Sequence, residues 1–377
     1  MKRIHIAYVC LITFFLVFSS CDGSGDGTVK FLGKKELSWY VENYDSIEIK
    51  SEPVSWSGSY FSASDNLCYL DDTTCELHFF DWTSGNFVQK RFKKGHSKEE
   101  LFDICGASAL IGDSNKIVMY GCNNFLYLYD LKQDKLVNYG SVNFGYEQKG
   151  QVDDYDNPSN YKICSDVCIK NDSNSILLFL SSNASNLDGW YDNSHIFGIY
   201  DYKESKFVKL YGNLPKYYKD HPVVLFERFV GCKVKDDIYT THMLDSLIYV
   251  HKNQNEVECV FGFEPSGSNR SYTCKENDMF DTKKAMEDEM KLTENKSLLY
   301  SESINCLLRT CIHGKSESSK TTVQLYDLKT FNLVLEKTFS GSINFLYAKG
   351  NTFYGVNLMP SSNKNYIYKL KVGKSKF

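Results

Sequence analysis

A chain of 377 residues, 42% hydrophobic and 24% charged, is long enough for one large or two ordinary domains and too apolar to be disordered. Its net charge of -4 comes from interspersed acids and bases, with no basic stripe to displace counterions from a phosphate backbone, so nucleic acid is excluded as a partner. Aromatic residues make up 15%, led by 27 Tyr and 25 Phe, which suits a pleated, half-buried surface.

The chain opens on MKRIHIAYVCLITFFLVFSSC. Lys2 and Arg3 precede an apolar run from Ile6 to Phe18, and the small residues Ser19 and Ser20 stand before Cys21. The run falls short of the roughly 20 apolar residues that span a bilayer and fits the core of a secretory signal. It resembles bacterial lipoprotein signals, which are cut before a Cys carrying diacylglycerol, although Phe18 stands where Leu is usual. The resemblance implies a signal peptide over residues 1–20, lipid attachment (palmitate among the chains) at Cys21, and a place at a membrane of the bacterial cell envelope. The outer membrane is preferred over the inner, even though Asp22 is an inner-membrane signal under enterobacterial rules. DGSGDGT, which follows, reads as a polar tether, so residues 21–28 lead into a folded domain over 29–377.

That domain repeats one pattern. LHFFDWTSGNFVQK, LYLYDLKQDKLVNYG, IFGIYDYKESKFVKL, LIYVHKNQNEVECV and VQLYDLKTFNLVLEK each alternate with period two, reach an Asp or His, turn, and resume with an apolar pair. Period-two alternation marks a strand, and an Asp followed by small polar residues marks the turn of a hairpin. A shortened sixth copy, NYIYKLKVGKSKF, ends the chain. The anchors Asp81, Asp130, Asp201, His251, Asp327 and Lys369 lie 49, 71, 50, 76 and 42 residues apart. A four-stranded propeller blade takes about 40 to 50 residues, so three spacings are one blade and two are a blade with an insertion. The expected fold is all-β: a six-bladed β-propeller of mostly four-stranded antiparallel blades with one short helical insertion. Little chain remains for an outer strand in the last blade, and an early segment such as Ser46–Lys50 is expected to complete it.

Of 13 cysteines, Cys10 leaves with the signal and Cys21 takes lipid; the remaining odd number cannot all pair. CYLDDTTC, with a two-residue turn at Asp71-Asp72, sets Cys68 opposite Cys75 and makes them the best disulfide candidates. CSDVC sets Cys164 and Cys168 on one strand face, about 13 Å apart, beyond disulfide reach.

The N-terminal Cys signal, the six irregular hairpins and the segment FVQKRFKKGHSKEELFDICG together resemble the TolB-like six-bladed propeller lipoproteins of Bacteroidetes. In that family a Gly-x-Gly-Pro-x-Glu-like stretch follows the first hairpin; here Gly95, His96, Ser97, Lys98, Glu99 and Glu100 stand there, without the Pro or the second Gly. The resemblance implies the fold and the envelope address but no activity.

No serine-hydrolase elbow, phosphate-binding loop, HExxH or dinucleotide fingerprint occurs. DDYDNPSN places Asp154 and Asp156 at calcium-like spacing beside Asp153, but Pro158 and the missing loop Gly and terminal Glu break the EF-hand pattern, so a solvated acidic loop is expected and no metal. ENDMFDTKKAMEDEMKL reads as helical. These two segments fall in the long intervals and are expected to leave the blade framework; Asp153, Asp154 and Asp156, with His242 in YTTHMLDS, are the candidate binding-face residues. The expected function is binding or scaffolding of an unknown protein or glycan by a lipid-anchored envelope module, without a cofactor. Two alternatives stand beside it: a glycan hydrolase or lyase using acids at the channel, and a sensory or assembly component.

Overall fold

The computed structural model describes residues 29–50, 57–97, 99–102, 104–121, 125–141, 155–182, 190–215, 218, 228–252, 256–272, 282–316, 318–358 and 364–375. The chain divides into two compact units, 1–30 and 31–377. Of the first, residues 29 and 30 are described; all that follows concerns the second.

Its strands form six antiparallel four-stranded meanders. The first is Gly58–Ala63, Asn66–Asp71, Glu76–Asp81 and Phe87–Arg91; the second Ile104–Ile111, Lys116–Gly121, Phe125–Asp130 and Lys135–Ser141. The third is Tyr161–Lys170, Ser175–Ser182, His195–Asp201 and Lys206–Asn213; the fourth Phe229–Val234, Asp237–His242, Ile248–Lys252 and Glu256–Phe261. The fifth is Thr293–Ser301, Cys306–His313, Lys320–Asp327 and Asn332–Ser340. The sixth takes Ile343–Lys349, Thr352–Asn357 and Tyr366–Lys374 from the end of the chain and Trp39–Glu48 from its beginning. The first strand of each meander touches the first strand of the next, and that of the sixth touches that of the first. The second and third meanders join into one sheet through parallel pairing of Cys168 with Leu110 and Ile169 with Ile111.

The core follows the same cycle. Leu77 and Ile117 pack between meanders one and two, Leu126 and Ile176 between two and three, Phe179 and Phe229 between three and four. Val250 and Leu307 fill the next interface, Leu325 and Phe353 the next, and Tyr69 and Ile367 return to the first meander. Each sheet thus has two apolar faces and needs a neighbour on both, at about 1.5–3 kcal/mol per large side chain buried.

The repeated Asp has a local cause. Asp81 Oδ1 accepts from the amides of Thr83 (3.1 Å) and Ser84 (2.8 Å), Asp130 Oδ1 from Lys132 (2.9 Å) and Gln133 (3.0 Å), and Asp201 Oδ1 from Lys203 and Glu204 (2.9 Å each). The carboxylate folds the turn by taking donors the strand leaves behind. Four residues after the Asp the backbone is left-handed, at Gly85, Asp134, Ser205 and Phe331. The same device acts at Asp71, whose Oδ1 accepts from Thr73 (2.9 Å) and Thr74 (3.0 Å) while Cys75 has φ 58. This corrects the expected two-residue turn: Asp71 pairs with Glu76 and Cys68 with Phe79, so Cys68 does not face Cys75, and both thiols are buried without a disulfide. CSDVC is corrected too. A register shift between Ile163 and Cys168 sends Cys168 into the core and leaves Cys164 half-buried.

Ser46–Glu48 does pair with the C-terminal strand, as the end of the longer strand Trp39–Glu48. That strand belongs to a strap across successive outer edges. Leu32 N donates to Val260 O (2.8 Å), Glu36 N to Leu333 O (2.9 Å) and Ser38 N to Val334 O (3.0 Å), and beyond the strand Lys50 N reaches Gly85 O (2.8 Å). The expected helix is present over Thr282–Glu289.

Candidate functional site

The first strands of all six meanders line one cavity of about 590 Å³. Tyr60, Ser62, Ser108, Ile163, Cys164, Lys233, Ser297 and Asn344 are among its walls. Antiparallel meanders put the first strand innermost when these strands touch in a cycle, so single residues far apart in sequence converge there.

Charge enters at one side. Arg228 lines the cavity and its Nη2 lies 2.6 Å from Glu289 Oε1, at the end of the helix Thr282–Glu289. Lys315 Nζ reaches the same oxygen at 2.5 Å and Glu294 Oε1 at 3.7 Å, and Lys296 Nζ stands 3.7 Å from Glu294. Burial opposes ionisation of Glu289, but Lys315 and Arg228 hold its carboxyl below its ordinary range. Glu294 is the one carboxylate among the described lining residues, and no histidine lines the cavity there.

The residues singled out from sequence lie elsewhere. Cys21, Asp153 and Asp154 fall outside the described residues. Asp156 is exposed, with its Oδ1 3.2 Å from His195 Nε2, and does not line the cavity. His242 precedes the lining residue Met243 but is fully buried, stacked on Phe229 at 4.9 Å, with both ring nitrogens lacking hydrogen bonds. The helical insertion touches the lining residue Arg228 through Glu289 without lining the cavity itself, whereas Lys233, Ser108, Ser297 and Asn344 carry no motif that sequence reading finds. In the loop that resembles the TolB-like stretch, Glu100 accepts from Ser97 N (2.9 Å) and pairs with Lys93 (3.1 Å), which staples the loop on itself.

Burial, with the charge of His251 adding to it, lowers the pKa of His242 to about 3, and burial lowers His251 to about 4; His251 Nε2 shares a hydrogen bond with Thr240 Oγ1 at 2.9 Å. Below pH 6.5 the unfolded chain takes up protons that the native core refuses, so stability is full above that pH and falls towards pH 4. Each histidine contributes up to about 1.4 kcal/mol per pH unit. Urea midpoints measured from pH 7 to 4 should fall accordingly, and His251→Gln should flatten the slope.

No family model matches the sequence, and no curated protein matches it either. Among the solved structures that share the fold are two from Bacteroides. A member of the DUF4221 family from Bacteroides vulgatus superposes with a TM-score of 0.63 at 12% identity, over 91% of this chain and 100% of that one. A Bacteroides fragilis protein described as a candidate exported protein gives 0.56 at 12% identity, over 92% and 100%. The likeness is to Bacteroides proteins, neither of them described as TolB-like, and it shows the fold alone.

Proposed function

We propose that residues 31–377 form a six-bladed β-propeller that binds a ligand in its central channel and is held at the cell envelope by lipid on Cys21. The observation that carries the reading is the cavity lined by the first strand of every meander. The cyclic strand contacts and the six core clusters, one per interface, support six blades closed into a ring. Binding is favoured over glycan hydrolysis or lysis because, among the described lining residues, Glu294 is the one carboxylate and it is answered by Lys296 and Lys315. The envelope address rests on the signal ending at Cys21, and the likeness to a candidate exported protein of Bacteroides fragilis agrees with it.

Ser62 lines the channel half-buried and its hydroxyl makes no hydrogen bond among the described residues, while its backbone pairing with Leu67 is kept by any side chain, so Ser62→Trp fills the channel without unfolding the ring. The protein purified from its host should carry small molecules, seen by native mass spectrometry, that Ser62→Trp lacks at unchanged melting temperature. Equal occupancy in the two proteins would end the channel reading. Two or three acyl chains, at about 0.8 kcal/mol per buried CH₂, suffice for stable anchoring. Cys21→Ala should therefore lose palmitate labelling and move to the soluble envelope fraction; a variant still in the membrane pellet after a high-salt wash would contradict the anchor.

A further inference from the structure

Three polar atoms in the cavity wall lack partners. Ser108 Oγ, Ser297 Oγ and Asn344 Oδ1 are buried without a hydrogen bond, on residues 6%, 8% and 8% exposed, and all three residues line the cavity. A buried polar group left unpaired costs about 1–3 kcal/mol, and native proteins keep few of them. All three residues share one cavity from three different meanders, and since each atom is closed to solvent as it stands, a side-chain rotation would have to present it to a ligand there.

The charge around them says which kind. Among the described lining residues, Arg228, Lys233 and Lys296 stand against one carboxylate, Glu294, in a chain whose net charge is -4. Arg228 is answered by Glu289 and Lys296 by Glu294, while Lys233 makes no ion pair among the described residues. The strand of Ser297 lies between those of Lys233 and Asn344 in the cycle. An unanswered cation in a cleft with low-dielectric walls focuses potential on an anion, and hydroxyl and amide groups beside it complete the coordination. Apart from Ser62 and Asn295, the remaining wall is apolar or aromatic, with Phe229, Leu298 and Tyr60.

We infer that the channel binds a small organic anion bearing a carboxylate or phosphate, with its charged group on Lys233 and its polar substituents on Ser297, Asn344 and Ser108. This rests on the channel-binding reading and names its ligand class. The test is calorimetric titration with glucuronate, glucose 6-phosphate and glucose, which share one ring and differ in charge. Glucuronate or glucose 6-phosphate should bind at least about tenfold more tightly than glucose, a difference of about 1.4 kcal/mol. The tighter of the two assigns carboxylate or phosphate. Lys233→Met should abolish that preference, and Ser297→Ala should weaken binding while keeping the melting temperature, since it removes an unpaired group. Glucose binding as tightly as the anions, in a manner lost in Ser62→Trp, would overturn the anion inference and leave the channel reading standing. Anion binding untouched by both Lys233→Met and Ser62→Trp would place the site outside the channel and overturn the inference. Failure of both anions to bind would overturn it too.

Discussion

Arg309→Met is expected to destabilise the protein by about 1–3 kcal/mol or more, the cost of leaving a buried acceptor without its donor. Arg309 is fully buried on the second strand of the fifth meander. Its guanidinium donates to Ser246 O and Phe263 O at 2.5 Å each, to Tyr326 OH at 3.1 Å and, from Nε, to Gln324 Oε1 at 3.0 Å. Ser246 and Phe263 belong to the fourth meander's connections, so one side chain ties two meanders together where both sheets turn. Every one of these acceptors is neutral, and the cation gains its stability from the number of bonds. Met preserves much of the stem but strands the main-chain carbonyl of Ser246, at about 1–3 kcal/mol for a buried unpaired acceptor, while Phe263 O keeps its bond from Gln324 Nε2 at 3.2 Å. Arg309→Lys should fall between the two, because a point charge cannot reproduce the fork. Urea denaturation measures it: a lowered midpoint at unchanged m-value supports the account, and a loss below about 1 kcal/mol contradicts it.

Removing residues 32–50 is expected to leave no cooperatively folded protein. The strap supplies the fourth strand of the sixth meander, where Trp39–Glu48 pairs along Tyr366–Lys374. Its apolar side packs on the core between meanders five and six through Trp39, Val41 and Tyr44, and Tyr44 stacks on Phe339 at 4.4 Å and Tyr368 at 5.9 Å. Val334 is buried where the strap crosses it, whereas Val88, Val137 and Val208, at matching places in the first three meanders, are exposed. Deletion would open the edge of Tyr366–Lys374 to water and to other chains. Tyr44→Ala alone should cost about 2–4 kcal/mol through lost packing and stacking. A thermal scan by circular dichroism checks the deletion: the shortened chain should show no sigmoidal transition, and a peptide covering 31–50 added in trans should restore one. A normal transition without the peptide would show that the strap is dispensable.

The repeated hairpins were legible because each is a local object: alternation, an Asp that folds the turn through its own carboxylate, and resumed alternation all lie within fifteen or so residues. The pairing of Ser46–Glu48 with the C-terminal strand was legible from what the last copy lacked, although the strand starts seven residues earlier, at Trp39. The turn at Asp71 was misread because the left-handed position four residues on is filled by Cys75, while the equivalent position after Asp81 holds the telling glycine, Gly85. Bulging at CSDVC was invisible, since a register shift depends on the partner strand and not on the strand itself. His242 attracted notice as a histidine among polar residues, yet its neighbours in space are Tyr218, Phe229 and Tyr249, none adjacent to it in sequence. The channel was the least legible feature. Ser108, Lys233, Ser297 and Asn344 are single polar residues on four separate strands, and only closure of the cycle brings them to one cavity.

The central claim is that the channel is where this protein meets its ligand, and Cys164 reports on it directly. This half-buried thiol lines the cavity, while Cys232, also in its wall, is 7% exposed and burial pushes its thiol up to about 12. The decisive measurement is peptide-resolved labelling of Cys164 by a small thiol reagent, with and without a small-molecule extract of the host envelope. The account predicts that Cys164 reacts in protein dialysed free of bound small molecules and is slowed by the extract about tenfold or more, as expected for a site blocked by a bound molecule. Labelling of Cys164 at the same rate with and without the extract would contradict it.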